Sequence, residues 1–285
     1  MTLHAEAPAK VNLGLRVLGR AATPGLHRIS SLAQAIDWQD DLEAEISDED
    51  RLEVVGASLP SGIENLVWKA INLYREASEK VVRLRLRLVK RIPTAAGLGG
   101  GSSDAAAALL IARRVGGGEV EPAELALTVG ADVSFCLVGG TAIVNGSGEV
   151  VDPVDPPPAG YLLVLAVPPV ELSAAAVYRA WDESGGPVDV GFSGTSLPPS
   201  LREHAPLGND LYSAAVALHP LLDEWRAELQ TRWGRPVFMS GSGPTLFGYF
   251  LDEDEAEEAL GQVPAGLRAA TTAAPTAHGA RIVDR

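Results

Sequence analysis

A single cysteine among 285 residues, Cys136, excludes an intramolecular disulfide and leaves no thiol cluster for a structural metal. It lies in the largely apolar run Val133 to Val138, where a buried, inert thiol is expected. The five histidines are scattered, with no metal-ligand spacing. Positive charge is also scarce: 23 Lys and Arg stand against 37 Asp and Glu, a formal balance of −14. Such a surface repels nucleic-acid phosphates and anionic lipid, so neither is an expected partner. An anionic substrate would need a locally basic pocket. The longest apolar run, Tyr161 to Val170, contains Pro168 and Pro169 and is about half a membrane span. No long apolar stretch precedes Lys10, which speaks against a signal peptide. A soluble, cytoplasmic protein is therefore expected. The chain also lacks an internal repeat and a Gly-x-Ser-x-Gly elbow. No sustained heptad specifies an oligomeric state.

What is present suits a globular fold. Apolar residues make up 46% and charged residues 21%, and the length suffices for one large domain or two smaller ones. Residues 7–18 alternate polar and apolar side chains from Lys10 onward and predict a strand. Residues 81–89 predict another, with Leu84, Leu86 and Leu88 on one face and Arg83, Arg85 and Arg87 on the other. That arginine row reads as a solvated sheet face, and it also adds positive potential near the glycine-rich segment that follows. Helices are predicted at 65–79, at 102–114 with Ser or Asp as its cap and arginines at its end, and at 122–129. The proline-rich stretch 152–160 places a boundary between units at 1–152 and 160–285. Beyond it the pattern predicts a strand at 161–167, a loose region at 184–200 and helices near 209–232. Strands at 236–239 and 245–250 follow, then a helix from Glu253 whose acidic run suits its N-terminus rather than a metal.

The most informative stretch joins the strand to the helix: Pro93, Thr94, Ala95, Ala96, Gly97, Leu98, Gly99, Gly100, Gly101, Ser102, Ser103. Its glycines remove side chains that would obstruct a ligand, and the first-turn amides of the following helix favour an anion. Ser102 and Ser103 add hydroxyls. This is the description of a phosphate cradle, and a flexible linker is its plain alternative. A dinucleotide fingerprint would need glycine at Ser102, and a Walker loop would need lysine after its last glycine. A second glycine-rich segment, Met239 to Pro244, fits either a further part of the site or a simple strand-to-strand turn.

Together these motifs resemble the small-molecule kinases that include galactokinase, homoserine kinase, mevalonate kinase and phosphomevalonate kinase. PAKVNLGL at 8–15, PTAAGLGGGSSDAA at 93–106 and MSGSGP at 239–244 correspond to the three signatures of that superfamily in order. Gly25-Leu26-His27, Asn65-Leu66, Lys90 to Pro93, residues 129–133 and residues 148–157 are similar to its branch acting on a cytidine-diphosphate-linked sugar alcohol in non-mevalonate isoprenoid synthesis. The resemblance implies an α/β (α+β) fold of two domains, ribosomal-protein-S5-like at the N-terminus and ferredoxin-like at the C-terminus. It implies ATP and Mg²⁺, with Asp132 as general base, Lys10 as its charge partner and Asn12 at the substrate hydroxyl. It further implies that Asn65, Leu66 and Lys90 line the adenine, that Pro93 and Gly97 to Ser103 hold the phosphates, and that His27 reads the base edge. No protein ligand for the cation is singled out. Read without the resemblance, Lys10 is a solvated strand lysine and Asp132 a turn cap. Leu26 and Ala33 stand where aromatics are common in that branch, Ser134 replaces a frequent proline, and Tyr178 matches the remaining base-stacking position. A kinase for another small alcohol, or an inactive nucleotide-binding relative, are the alternatives.

Overall fold

The two longest strands run through the interior with protein on both faces of their central parts. The structure, a computed structural model, describes residues 2–118, 120–155, 161–186 and 208–284. In it, β1 (Thr2–Arg20) pairs antiparallel with β2 (His27–Ile46). From Ala7 to Leu15 every residue of β1 is buried. The alternation expected over 7–18 thus separates two interior faces, not inside from outside. Leu3, Ala5 and Ala7 join a core beneath helices, whereas Ala9, Val11 and Leu13 join a core against a second sheet. The exchange happens at a register shift between Pro8 and Ala9, the kind of ladder interruption at which a strand tolerates proline.

Six further strands complete this first sheet: β3 (Arg51–Val55), β4 (Leu84–Val89), β5 (Thr141–Gly146), β6 (Val150–Pro153), the two-residue β8 (Gly208–Asn209) and β12 (Arg281–Val283). The order is β12-β1-β2-β4-β3, with β5 on β2, β6 on β5 and β8 on β1. β8 and β12 lie beyond residue 160, so the sheet draws on both sides of the proline-rich stretch, of which 156–160 fall outside the described residues.

β4 alternates as expected, with Leu84, Leu86 and Leu88 buried and Arg85 and Arg87 exposed, although it starts after Arg83. Its arginines sit in a charge ladder, because Glu43 pairs in register with Arg87 and Glu45 with Arg85. Arg87 Nη1 is 3.7 Å from Glu43 Oε1. On the other side, β3 sets Glu53 beside Arg87 but Arg51 beside Arg85, so the row is offset at Arg87 from both neighbours and at Arg85 from β2 alone.

Four helices cover one face: α1 (Leu66–Ser78), α2 (Gly100–Gly116), α3 (Pro122–Val129) and α4 (Val133–Val138). α2 is buried all round from Ser103 to Leu109, which suits its run of small alanines. Its expected Ser or Asp cap is not found. Gly99 occupies the N-cap in the left-handed region with no side-chain cap, and Asp104 is drawn instead to Lys90.

The second sheet is antiparallel throughout, in the order β11 (Ala269–Ala273), β7 (Leu162–Val167), β10 (Leu246–Phe250), β9 (Phe238–Met239). It packs with α5 (Ala174–Glu183), α6 (Tyr212–Leu218), α7 (Leu221–Trp233) and α8 (Glu253–Gly261). Asp252 caps α8 by accepting from the Glu255 amide at 3.0 Å, so the acidic run is a helix start as expected. The loose region expected at 184–200 lies outside the described residues from 187 onward. Among the described residues, no helix is long and apolar enough to cross a membrane.

Candidate active site

The glycine-rich segment is held from three sides before any ligand is considered. Leu98 O accepts from the Lys10 amide at 2.9 Å, tying the segment to β1. Ser240, in the second glycine-rich turn, donates its hydroxyl to Gly97 O at 3.0 Å and accepts from the Asn12 amide at 3.1 Å. Thr245 Oγ1 donates to Ala96 O at 2.6 Å. The turn at 239–244 does connect β9 to β10, and it also braces the cradle.

Two of the glycines answer to protein rather than to phosphate. Gly97 has φ +75°, and a Cβ there would lie 2.5 Å from Ser240 O. Gly99 has φ +68°, and a Cβ would lie 2.9 Å from Lys10 Cγ. Both positions combine a left-handed backbone with a close neighbour, which only glycine tolerates. Gly101 differs: its nearest neighbour would be Leu66 Cδ1 at 3.4 Å, an ordinary contact.

Lys10 and Asn12 are two residues apart on one strand and share a face. Lys10 Nζ donates to Asn12 Oδ1 at 2.6 Å, while Asn12 Nδ2 donates to Ser31 Oγ at 2.7 Å. The same ammonium lies 3.3 Å from Asp132 Oδ2. Asp132 occupies the N-cap position of α4 but makes no side-chain cap bond, which removes the plain reading of it as a turn cap. Lys10 is buried, so it is not a solvated strand lysine either. Cys136 lies behind this pair. Burial pushes its thiol up, with the nearby Asp132 carboxylate adding, as suits an inert side chain. Ser103 is fully buried, with its hydroxyl beside the Cys136 thiol.

Beneath the cradle Lys90, expected at the adenine, meets two buried carboxylates that sequence reasoning missed. Lys90 Nζ pairs with Asp40 and, at 2.6 Å, with Asp104 Oδ2, and all three side chains are buried. Asp40 Oδ1 also accepts from the Arg91 and Ile92 amides, at 2.5 and 2.9 Å. Burial alone would lower the Lys90 ammonium, but the carboxylates of Asp104 and Asp40 hold it above its ordinary value. Burial pushes the Asp104 carboxyl up to about 7, with Lys90 opposing and Asp40 adding. The Lys90 amide donates to Val55 O at 2.8 Å. Asn65, expected beside it at a nucleotide base, caps α1: Oδ1 accepts from the Val67 amide at 3.0 Å and Nδ2 donates to Pro60 O at 2.8 Å. Leu66 lies against the cradle at Gly101.

The expected base-reading residues also come together. The His27 imidazole stacks on Tyr178, with centroids 4.6 Å apart and planes inclined by 22°, and Trp181 meets its edge at 5.9 Å. Burial pushes the Tyr178 phenol up, and the Asp132 carboxylate adds to this, which sets the cluster beside the Lys10–Asp132 pair. Asp182 completes it, with Oδ1 3.0 Å from His27 Nε2 and Oδ2 accepting from Arg20 Nη2 at 2.9 Å. Asp182 stands four residues after Tyr178 on α5, a same-face spacing visible in the sequence.

Comparison with known proteins gives the family. Residues 65–140 match the model described as GHMP kinases N terminal domain, and residues 197–269 match that described as GHMP kinases C terminal. A 4-diphosphocytidyl-2-C-methyl-D-erythritol kinase of Pelotomaculum thermopropionicum is 38% identical over 270 residues, covering 90% of this chain and 92% of its own. Its counterpart in Deinococcus radiodurans is 40% identical over 271 residues, covering 90% and 87%. A crystal structure of 4-(cytidine 5'-diphospho)-2C-methyl-D-erythritol kinase superposes with TM-score 0.77 at 36% identity, over 95% of this chain and 98% of that one. Homoserine kinase from Cytophaga hutchinsonii shares the fold, with TM-score 0.71 at 20% identity, over 99% of this chain and 97% of that one.

Proposed function

The chain belongs to the 4-diphosphocytidyl-2-C-methyl-D-erythritol kinase family of two-domain GHMP kinases, and on that premise we propose how its residues carry the reaction. The enzyme is an ATP-dependent kinase that phosphorylates the 2-hydroxyl of 4-diphosphocytidyl-2-C-methyl-D-erythritol in isoprenoid precursor synthesis. The observation that carries the mechanism is the 3.3 Å approach of Lys10 Nζ to Asp132 Oδ2 beside the glycine cradle.

ATP enters as its magnesium complex, a substrate rather than a resident group. A magnesium ion of this kind is held largely by the nucleotide's own phosphates and by water. That cation neutralises charge on the transferring group. The segment Pro93 to Ser103 holds the phosphates, with the first-turn amides of α2 facing the anion. The substrate's 2-hydroxyl oxygen bonds to the γ-phosphorus as the bond from that phosphorus to the ADP oxygen breaks. The hydroxyl proton passes to the Asp132 carboxylate. Lys10, 3.3 Å from that carboxylate, offsets charge on the phosphoryl oxygens, and Asn12 fixes the Lys10 ammonium through its 2.6 Å hydrogen bond. His27 and Tyr178 hold the cytosine.

The test is ATP consumption by the purified protein with Mg²⁺, comparing the cytidylated methylerythritol with methylerythritol phosphate, homoserine and mevalonate. Turnover confined to the cytidylated alcohol is expected. Turnover of another alcohol in its place would overturn the substrate assignment.

A further inference from the structure

We propose that Asp182 is a positioning residue that decides which base the site accepts, by fixing the proton of His27 on Nε2 and leaving Nδ1 as a hydrogen-bond acceptor. This rests on the reading of His27 as the base-facing residue and adds what that reading lacks, a reason for one tautomer. The imidazole is held in place: its face lies on Tyr178 at 4.6 Å, its edge meets Trp181 at 5.9 Å, and Asp182 Oδ1 is 3.0 Å from Nε2. A carboxylate only accepts, so the nitrogen it faces carries the proton. The hydrogen bond from His27, with Arg20 assisting, holds the Asp182 carboxyl below its ordinary range, which keeps it an acceptor. Arg20 occupies the other oxygen at 2.9 Å and offsets the negative charge, so Asp182 is itself held in place while it orients the ring. A neutral ring protonated at Nε2 offers a lone pair at Nδ1.

Cytosine and uracil differ at the exocyclic position of this edge and at the adjacent ring nitrogen, which accepts in cytosine and donates in uracil, and His27 Nδ1 is assigned to the exocyclic position. Cytosine carries an exocyclic amine, which donates, and uracil a carbonyl, which accepts. A fixed acceptor therefore favours the amine and sets two lone pairs against each other when the carbonyl is presented. With Leu26 and Ala33 in place of aromatics, this edge contact carries more of the discrimination, because stacking tolerates either base.

Two measurements test the proposal on the full-length protein. Nitrogen-15 imidazole spectra, with His27 identified by its disappearance in His27→Gln, should show the proton on Nε2. The ratio of kcat/KM for the cytidylated over the uridylated alcohol should fall about ten-fold in Asp182→Ala. Asp182→Asn, whose amide can either accept or donate, should fall in between. A structural loss would lower both substrates equally and leave the ratio unmoved, and that result, or a proton found on Nδ1 in the wild type, overturns the proposal. If the wild type itself shows no preference for the cytidylated alcohol, the underlying substrate reading fails and the proposal falls with it. Wild-type preference that survives in both variants sinks the role of Asp182 alone.

Discussion

Lys10 and Asp132 form an ion pair of unequal exposure: at 3.3 Å separation, the lysine side chain is 5% accessible and the aspartate side chain 41%. The cation is built into the protein and the carboxylate faces outward. That is the arrangement expected of a group that must meet an incoming hydroxyl while its partner stays fixed by Asn12. It also means that little of the fold hangs on Asp132, which makes no cap bond on α4.

Asp132→Asn should therefore separate chemistry from binding. The loss of a positioned base lowers kcat by about 10²–10⁴-fold. ATP affinity measured by calorimetry should stay within a few-fold of wild type, since the cradle is untouched. A matching collapse in ATP binding would assign Asp132 a structural role.

Gly97→Ala should damage stability and nucleotide binding together. The new Cβ would meet Ser240 O at 2.5 Å, a backbone atom that cannot step aside, in a residue at φ +75°. The left-handed backbone alone costs about 1–2 kcal/mol. Gly234→Ala serves as the contrast, because it has φ +61° with nothing within 4 Å. Thermal unfolding should place Gly97→Ala clearly below Gly234→Ala. Equal losses would show that the contact with the second glycine-rich turn is unimportant.

Lys90→Met distinguishes two roles for a residue whose position resembles one lining the adenine. Its ammonium is committed to Asp40 and Asp104, all buried, so removing it strands two carboxylates in the interior. Breaking a buried pair in this way typically costs about 3–5 kcal/mol. Urea unfolding should show a loss of that order. Intact stability with a raised KM for ATP would instead mean that the side chain reaches the nucleotide.

The parts of the site readable in the sequence are those encoded by local spacing. The alternation around Leu84, Leu86 and Leu88 gave β4, and the glycines followed by alanines gave the cradle and α2. Lys10 and Asn12 share a face because they are two residues apart on a strand. What escaped depends on chain segments far apart in sequence. Asp40 lies fifty residues from Lys90, and Ser240 lies 228 residues from Asn12. The reason for glycine at 97 is a backbone oxygen of the turn between β9 and β10, which no local pattern contains. Asp104 was legible only as a helix-start residue, whereas its true partner comes from the neighbouring strand end. The pairing of β12 with β1 likewise follows from three-dimensional closure of the sheet edge, not from the short segment Arg281–Val283 itself.

Asp104 should also leave a signature in how stability depends on pH. Its carboxyl is raised from an ordinary 3.8 to about 7 in the folded protein, chiefly by burial, with Asp40 adding and Lys90 opposing. The folded state therefore holds a proton that the unfolded state releases, and between about pH 4 and 7 unfolding sets that proton free. The stabilisation is complete below the unfolded value, is lost as pH rises through this window, and levels off above about 7. Asp104→Asn, which mimics the protonated acid and still offers an oxygen to Lys90, removes this slope. Urea unfolding at a series of pH values should show the stability difference between variant and wild type shifting in the variant's favour from pH 4 to 7, then holding constant. A difference that is flat across the window would mean that Asp104 stays ionised throughout, held so by Lys90.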